Sequence, residues 1–527
     1  MPKIRKQSFG KLSRAIVALH LTLFLFSVVY ADPGLNLKHN VDKNVSRNTY
    51  VNGQEVIVKF EYLPALESNV TYHWQSYKGE KITQPVLLDA GKEAVIVVPG
   101  GELPHYLGLV FTPVNDAISL PGREPGEQKE YGFAIFPNEP QASSAPDPNR
   151  WMGMVHADLE DPWLSGWVKT LTWKTTSAKW WHSKIEKRRV AGSVELPIIS
   201  GAEWKSDDYE PVKPTQLAQL EKRAREYFAA DPGTIYWETG IEENLGGRFK
   251  RPYYLTNLAA KSDAVRAAAD DANPDIKLIF QIANIRYRDV GVFMRSAAAK
   301  NYDILSLHPY NWPDFPPPEE WLTNYLDRAR SEMKQSGRVL PIWVTEIGAP
   351  HRGNCPDCFF GYPKDNKSVP GLSDQEMIAY LIKFQVIAVH DGVEKVFWYN
   401  YKDRGPDRKF AEDHFGLIDY WGYPKPAYLA YVHMNRSLVD KTVGEAVRKK
   451  DIWAYEFCGD SEDVIVAWSF PADSAVASLA DLGIRSSSDS EISVTNAIGD
   501  SVAVEDGLIN LTNEPVFVRV GSKQQSE

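Results

Sequence analysis

The chain has 527 residues, of which 43% are apolar and 24% charged, a composition that excludes disorder over its bulk. Its formal charge of −10 argues against nucleic acid or an acidic lipid surface as partner. Outside the N-terminus no run of about 20 apolar residues exists to span a bilayer, and the 16 Trp serve either an ordinary large core or flat surfaces of the kind that stack on sugar rings.

The first residues read as an export segment. Lys3, Arg5, Lys6, Lys11 and Arg14 come without a single acid, and Ala15 to Val29 is apolar apart from His20, Thr22 and Ser27. With Ala31 at a cleavage site, 1–31 has the build of a secretory signal peptide, too short for an anchor. The protein is therefore expected to be secreted or extracytoplasmic, without stable membrane insertion after cleavage. Three Cys cannot staple a chain of this size. Cys355-Pro356-Asp357-Cys358 reads as a local disulfide, as free thiols, or as half of a metal site that lacks two further ligands.

Three folded parts follow. From 32 to 140 short strands alternate in period two, as in Glu55 to Tyr62, which predicts an antiparallel β-sandwich. Residues 141–150 are a linker by composition. From 151 to 438 short apolar runs alternate with helical segments, the pattern of a parallel (β/α)8 TIM barrel. The strand candidates are Met152–His156, Lys169–Trp173, Val190–Leu196, Thr234–Glu238, Lys277–Ile282, Ile304–Leu307, Ile342–Thr345 and Lys395–Trp398, with a helix predicted over Thr215 to Phe228. From 439 to 527 the strand pattern returns, predicting a smaller β domain.

Barrel active sites lie at the C-terminal ends of the strands, so polar residues directly after an apolar run are the candidates. The fourth strand leads to Trp237-Glu238-Thr239-Gly240-Ile241-Glu242-Glu243-Asn244, and the seventh to Ile342-Trp343-Val344-Thr345-Glu346-Ile347-Gly348. A single Glu after a strand is more often a solvated loop residue or a cap. Two of them, on strands that face each other across one mouth, match the need of glycoside hydrolysis for carboxyl groups flanking one bond.

In these stretches the sequence resembles the clan A retaining glycoside hydrolases, with the closest likeness to family 39. The segment 237–242 is similar to that clan's fourth-strand signature, and 342–348 to its seventh. The resemblance implies that Glu242 is the acid/base and Glu346 the nucleophile, that His308 and Tyr310 lie beside Glu346, and that Trp398 floors a sugar subsite. His414-Phe415-Gly416-Leu417-Ile418-Asp419 followed by Pro424-Lys425-Pro426-Ala427-Tyr428 resembles the passage into such barrels' last helix. Ile241 departs from the pattern, since the clan has Asn there to contact the sugar 2-hydroxyl.

Two further candidates come from strand ends. Asp158, after strand one, reads as a sugar contact or a helix cap, and Trp204, after strand three, as a sugar contact or core. A different reading groups His156, Asp158, His308 and Asp403 as metal ligands, but two His flanking one residue are missing. The expectation is an enzyme without cofactor or metal that takes an oligo- or polysaccharide. The alternative is a barrel that binds carbohydrate without cleaving it, motivated by Ile241.

Overall fold

The computed structural model describes residues 35–39, 49–51, 57–62, 70–87, 94–97, 105–114, 120, 123, 126–136, 150–155, 166–169, 193–199, 204, 208–311, 313–353, 358–359, 368–484 and 490–522. The expected export segment 1–31, nearly all of the expected linker 141–150, and His156, Asp158, Trp312 and Cys355 lie outside them.

A curled parallel sheet forms the centre. Its strands are β1 (Met152–Val155), β2 (Gly166–Lys169), β3 (Ser193–Leu196), β3′ (Ile198–Ile199), β4 (Tyr236–Thr239), β5 (Lys277–Ala283), β6 (Ile304–His308), β7 (Ile342–Ile347) and β8 (Val393–Trp398). The ladder runs β3-β2-β1-β8-β7-β6-β5-β4-β3′, and each pairing in it is parallel. Its outermost members, β3 and β3′, are consecutive in the chain with only Pro197 between them. Proline has no N–H to give a ladder, but its carbonyl accepts from Glu238 N at 2.9 Å. The second strand begins three residues earlier than the sequence suggested. Trp167, Val168 and Lys169 pair with Gly153, Met154 and Val155, so Lys169 ends the strand rather than opening it.

Among the described residues, helices α1 (Pro214–Ala230), α2 (Tyr254–Ala272), α3 (Tyr287–Met294), α4 (Pro318–Gln335), α5 (Asp374–His390) and α6 (Pro426–Leu438) accompany the sheet. Proline sits in the first turn of α1, α4 and α6, where no N–H is needed. Ser373 and Glu376 form a capping box on α5. That helix is buried from Met377 to Val389 and, apart from Lys383 and Gln385, mostly apolar around its circumference, as suits a helix covered on more than one face.

The flanking β regions are separate, mostly antiparallel sheets. One has three strands, Leu35–His39, Ile57–Tyr62 and Ala94–Val97; another has five, centred on Tyr106–Pro113 and Lys129–Phe136. In the C-terminal region a five-stranded sheet is built around Glu462–Ser469, with a two-stranded ribbon beside it. These regions do not have wholly separate interiors. One apolar cluster takes in Tyr106 and Ala134, the strands of the parallel sheet, and Phe457, Trp468 and Phe517. Polar links reinforce it: His105 Nδ1 lies 2.7 Å from Asp500 Oδ1, and Trp468 Nε1 donates to Glu319 Oε1 at 2.8 Å.

Of the cysteines, Cys358 is disulfide-bonded, which removes the free-thiol and metal readings for it, and Cys458 is free. Among the described residues no helix is long and apolar enough to cross a membrane.

Candidate active site

Side-chain alternation decides what each strand offers to the site. On β4, Trp237 packs edge-on against Phe228 of α1 at 5.1 Å, so Tyr236 and Glu238 face the other way, into the sheet's concavity. The backbone then turns sharply. Gly240 has φ of 68° and Glu242 has φ of 44°, a left-handed conformation that costs a non-glycine residue about 1 kcal/mol or more. Glu243 holds the turn. Its Oε1 accepts from Trp204 Nε1 at 3.0 Å and from the Ile241 amide at 3.1 Å, and its Oε2 accepts from Tyr254 Oη. Asn244 pins the far side, pairing with both backbone groups of Ala283 at 2.8 and 3.0 Å. Glu243 is 3% exposed and fully engaged, which leaves Glu242 as the carboxylate free to face a ligand.

On β7 a bulge does the corresponding job. Val344 pairs with Val396 and Ile347 with Trp398, so two intervening residues face one. The extra residue breaks the alternation, so the neighbours Thr345 and Glu346 both reach the site. Tyr310 Oη donates to Glu346 Oε1 at 3.0 Å. His308, at the end of β6, places Nδ1 3.1 Å from Glu242 Oε1 and 4.0 Å from Glu346 Oε2. One atom each from Glu242, His308 and Glu346 lie within 4.8 Å of one another. Four of the residues singled out in the sequence, Glu242, Glu346, His308 and Tyr310, therefore meet at one place.

Electrostatics separate the two carboxyls. Burial pushes Glu242 up to about 7, against a smaller downward pull from Lys169. Burial also raises Glu346, helped by the neighbouring Glu242, while Lys169 and the Tyr310 hydroxyl oppose it. Burial, then Lys169, pushes His308 down to about 4, so its ring is neutral near pH 7.

Two expected sugar contacts have other surroundings. Trp204 is 4% exposed and donates its N–H to Glu243. Trp398 has no exposed surface and packs against Tyr380 of α5 at 6.3 Å, on the helix side of β8. The next residue, Tyr399, is the aromatic beside the site: the Glu346 carboxylate adds to burial in raising its phenol, and its ring meets Phe415 at 5.5 Å. Asp158 lies outside the described residues. Asp403, offered as a metal ligand, is bound by Lys425 Nζ at 2.8 Å and the Gly416 amide at 2.7 Å.

Beneath the glutamates lies a polar layer that sequence reading missed apart from His308. Lys169, Glu238, Gln281, Ser306, His308 and Thr345 are all completely buried. Lys169 Nζ lies 2.9 Å from Glu238 Oε2, 3.2 Å from Thr345 Oγ1, 3.4 Å from His308 Nε2 and 4.0 Å from Glu346 Oε2. Its position inside an apolar run was the signal available, since a lysine there must find a carboxylate.

Comparison with known proteins bears on the architecture. No family model and no curated protein matches the chain. A family 39 glycoside hydrolase from the gut symbiont Bacteroides cellulosilyticus WH2 is similar over 92% of this chain and 100% of its own, with a TM-score of 0.61 and 19% identity. The chain has the fold of a family 39-like clan A glycoside hydrolase. Two family 30 enzymes, an endoxylanase from Clostridium papyrosolvens C71 and a subfamily 8 xylanase from Clostridium acetobutylicum, each match 72% of this chain at 12% identity. They cover 98% and 97% of their own lengths, with TM-scores of 0.44 and 0.46.

Proposed function

We propose that the protein is a retaining glycoside hydrolase acting on an oligo- or polysaccharide, with Glu346 as nucleophile and Glu242 as acid/base. The observation that carries this reading is the approach of the two carboxyls, an oxygen of each lying within 4.8 Å of the other. Retaining enzymes hold theirs about 5–5.5 Å apart, whereas inverting ones leave about 6.5–9.5 Å for a water. Glu346 attacks the anomeric carbon while Glu242 protonates the departing oxygen. Water, deprotonated by the now ionised Glu242, then releases the sugar from Glu346. A site pKa of about 7 suits a group that must be acid in one step and base in the next. The cluster also has the residue types of a metal site, but Lys169, 4.0 Å from Glu346, already supplies it with a cation. No cofactor enters this scheme.

In the same reading, 151–438 is a (β/α)8 barrel between β domains at 32–140 and 439–527, and segment 1–31 directs export. A screen of polysaccharides with chromatography of the products tests the activity. Glu346→Gln and Glu242→Gln are expected to lose turnover by orders of magnitude while remaining folded, and full activity in either contradicts the assignment.

Ile241 favours a second reading, a barrel that binds carbohydrate without cleaving it. Contacts to the sugar 2-hydroxyl supply several kcal/mol in the transition state, and Ile has no polar atom to make one. A large gain of hydrolysis in Ile241→Asn supports this reading; an active wild type excludes it.

A further inference from the structure

The buried ammonium of Lys169 is ion-paired with Glu238 Oε2 at 2.9 Å and within hydrogen-bond reach of Thr345 Oγ1 at 3.2 Å and His308 Nε2 at 3.4 Å. Thr345 Oγ1 also lies 3.0 Å from His308 Nε2 and 2.5 Å from Ser306 Oγ, so Thr345 can give its own proton to the same nitrogen. Among the described residues, a proton on His308 Nε2 would have only Thr345 Oγ1 to receive it, with the ammonium 3.4 Å away opposing it. A neutral imidazole carries one N–H, and its other nitrogen is an acceptor.

We infer that Lys169 is a positioning residue that fixes His308 in the Nδ1–H tautomer and so aims a donor at Glu242 Oε1. Glu238 is the counter-charge that keeps the ammonium in place. The inference rests on the hydrolase reading for its catalytic meaning. With Glu242 Oε1 occupied by the His308 N–H across 3.1 Å, the proton that Glu242 delivers is carried on Oε2. The direction of protonation is thus set from beneath the site by a residue without exposed surface and out of reach of substrate. The neutral ring required here agrees with the downward shift of His308 to about 4.

Nitrogen-15 NMR of histidine-labelled wild-type protein tests this, with the His308 signals assigned among the 11 His by their loss in His308→Gln. The expected result is a protonated Nδ1 and a lone-pair Nε2 near pH 7. The inverse pattern overturns the inference. Lys169→Met alone strands Glu238 as a buried charge, so the double variant Lys169→Met/Glu238→Gln is the perturbation to use. It is expected to populate the Nε2–H tautomer and to lower kcat by roughly tenfold to a hundredfold with KM little changed, as misaimed groups do. A folded double variant that keeps the wild-type tautomer overturns the inference; if it does not fold, the wild-type spectrum alone decides. The spectrum needs no turnover, so absence of glycosidase activity and a wrong tautomer are separate outcomes.

Discussion

Trp204 donates its indole N–H to Glu243 Oε1 across 3.0 Å, joining the chain after β3′ to the turn after β4. The same oxygen holds the Ile241 amide, so the bond bears directly on where Glu242 points. Glu243→Gln cannot accept as strongly from Tyr254, Trp204 and Ile241 together. We expect a stability loss of about 1–3 kcal/mol and a fall in kcat of roughly a hundredfold through misplacement of Glu242. Urea denaturation and steady-state rates check the two parts. An unchanged kcat would show that the strained turn does not depend on Glu243.

The pH dependence follows from the two carboxyls. Glu242 must begin protonated, so kcat/KM falls as pH rises through about 7. Glu346 must begin ionised, and burial raises it, so the acid limb lies above the ordinary glutamate range. The profile is expected to be a narrow bell with a mildly acidic optimum, its two limbs belonging to the coupled pair. An alkaline optimum contradicts it.

Tyr310→Phe removes the hydroxyl that donates to Glu346 Oε1 at 3.0 Å. That bond favours the ionised nucleophile, so its loss moves the acid limb to higher pH and narrows the bell. By analogy with single donors at developing charges, kcat should fall about 10²–10³-fold. The shift of the acid limb separates this role from simple packing.

Lys383 on α5 lies 2.8 Å from Glu319 on α4, with side chains 2% and 0% exposed. Trp468 of the C-terminal sheet donates to the same carboxylate. Removing one partner of a buried pair costs about 3–5 kcal/mol, so Lys383→Met should lower the thermal midpoint sharply. Lys383→Met/Glu319→Gln should recover part of the loss, since no buried charge is then unpaired. Calorimetry on both variants measures the difference.

The pair that defines the site was legible because each glutamate follows an apolar run directly, and barrel geometry brings the ends of β4 and β7 together. His308 and Tyr310 were legible for the same reason at β6. What lay hidden was set by register. Trp398 and Tyr399 are adjacent, and only the strand's alternation shows that Trp398 packs on α5 while Tyr399 stands beside Glu346. Lys169 was assigned to the start of a strand whose end it forms, which concealed its meeting with Glu238 and Thr345. Glu243 is adjacent to Glu242 and of the same chemistry, and nothing local reveals that Trp204 and Tyr254, 39 and 11 residues away, take up both its oxygens.

The stereochemistry of the first product tests the central claim most directly. Proton NMR of the hydrolysis of any substrate the protein cleaves records which anomer appears before mutarotation. Two carboxyls with oxygens within 4.8 Å of each other leave too little room for a water between Glu346 and the anomeric carbon in the first step, so the released sugar should keep its anomeric configuration, and a fluorinated sugar inactivator should be found on Glu346. First appearance of the inverted anomer would contradict the account.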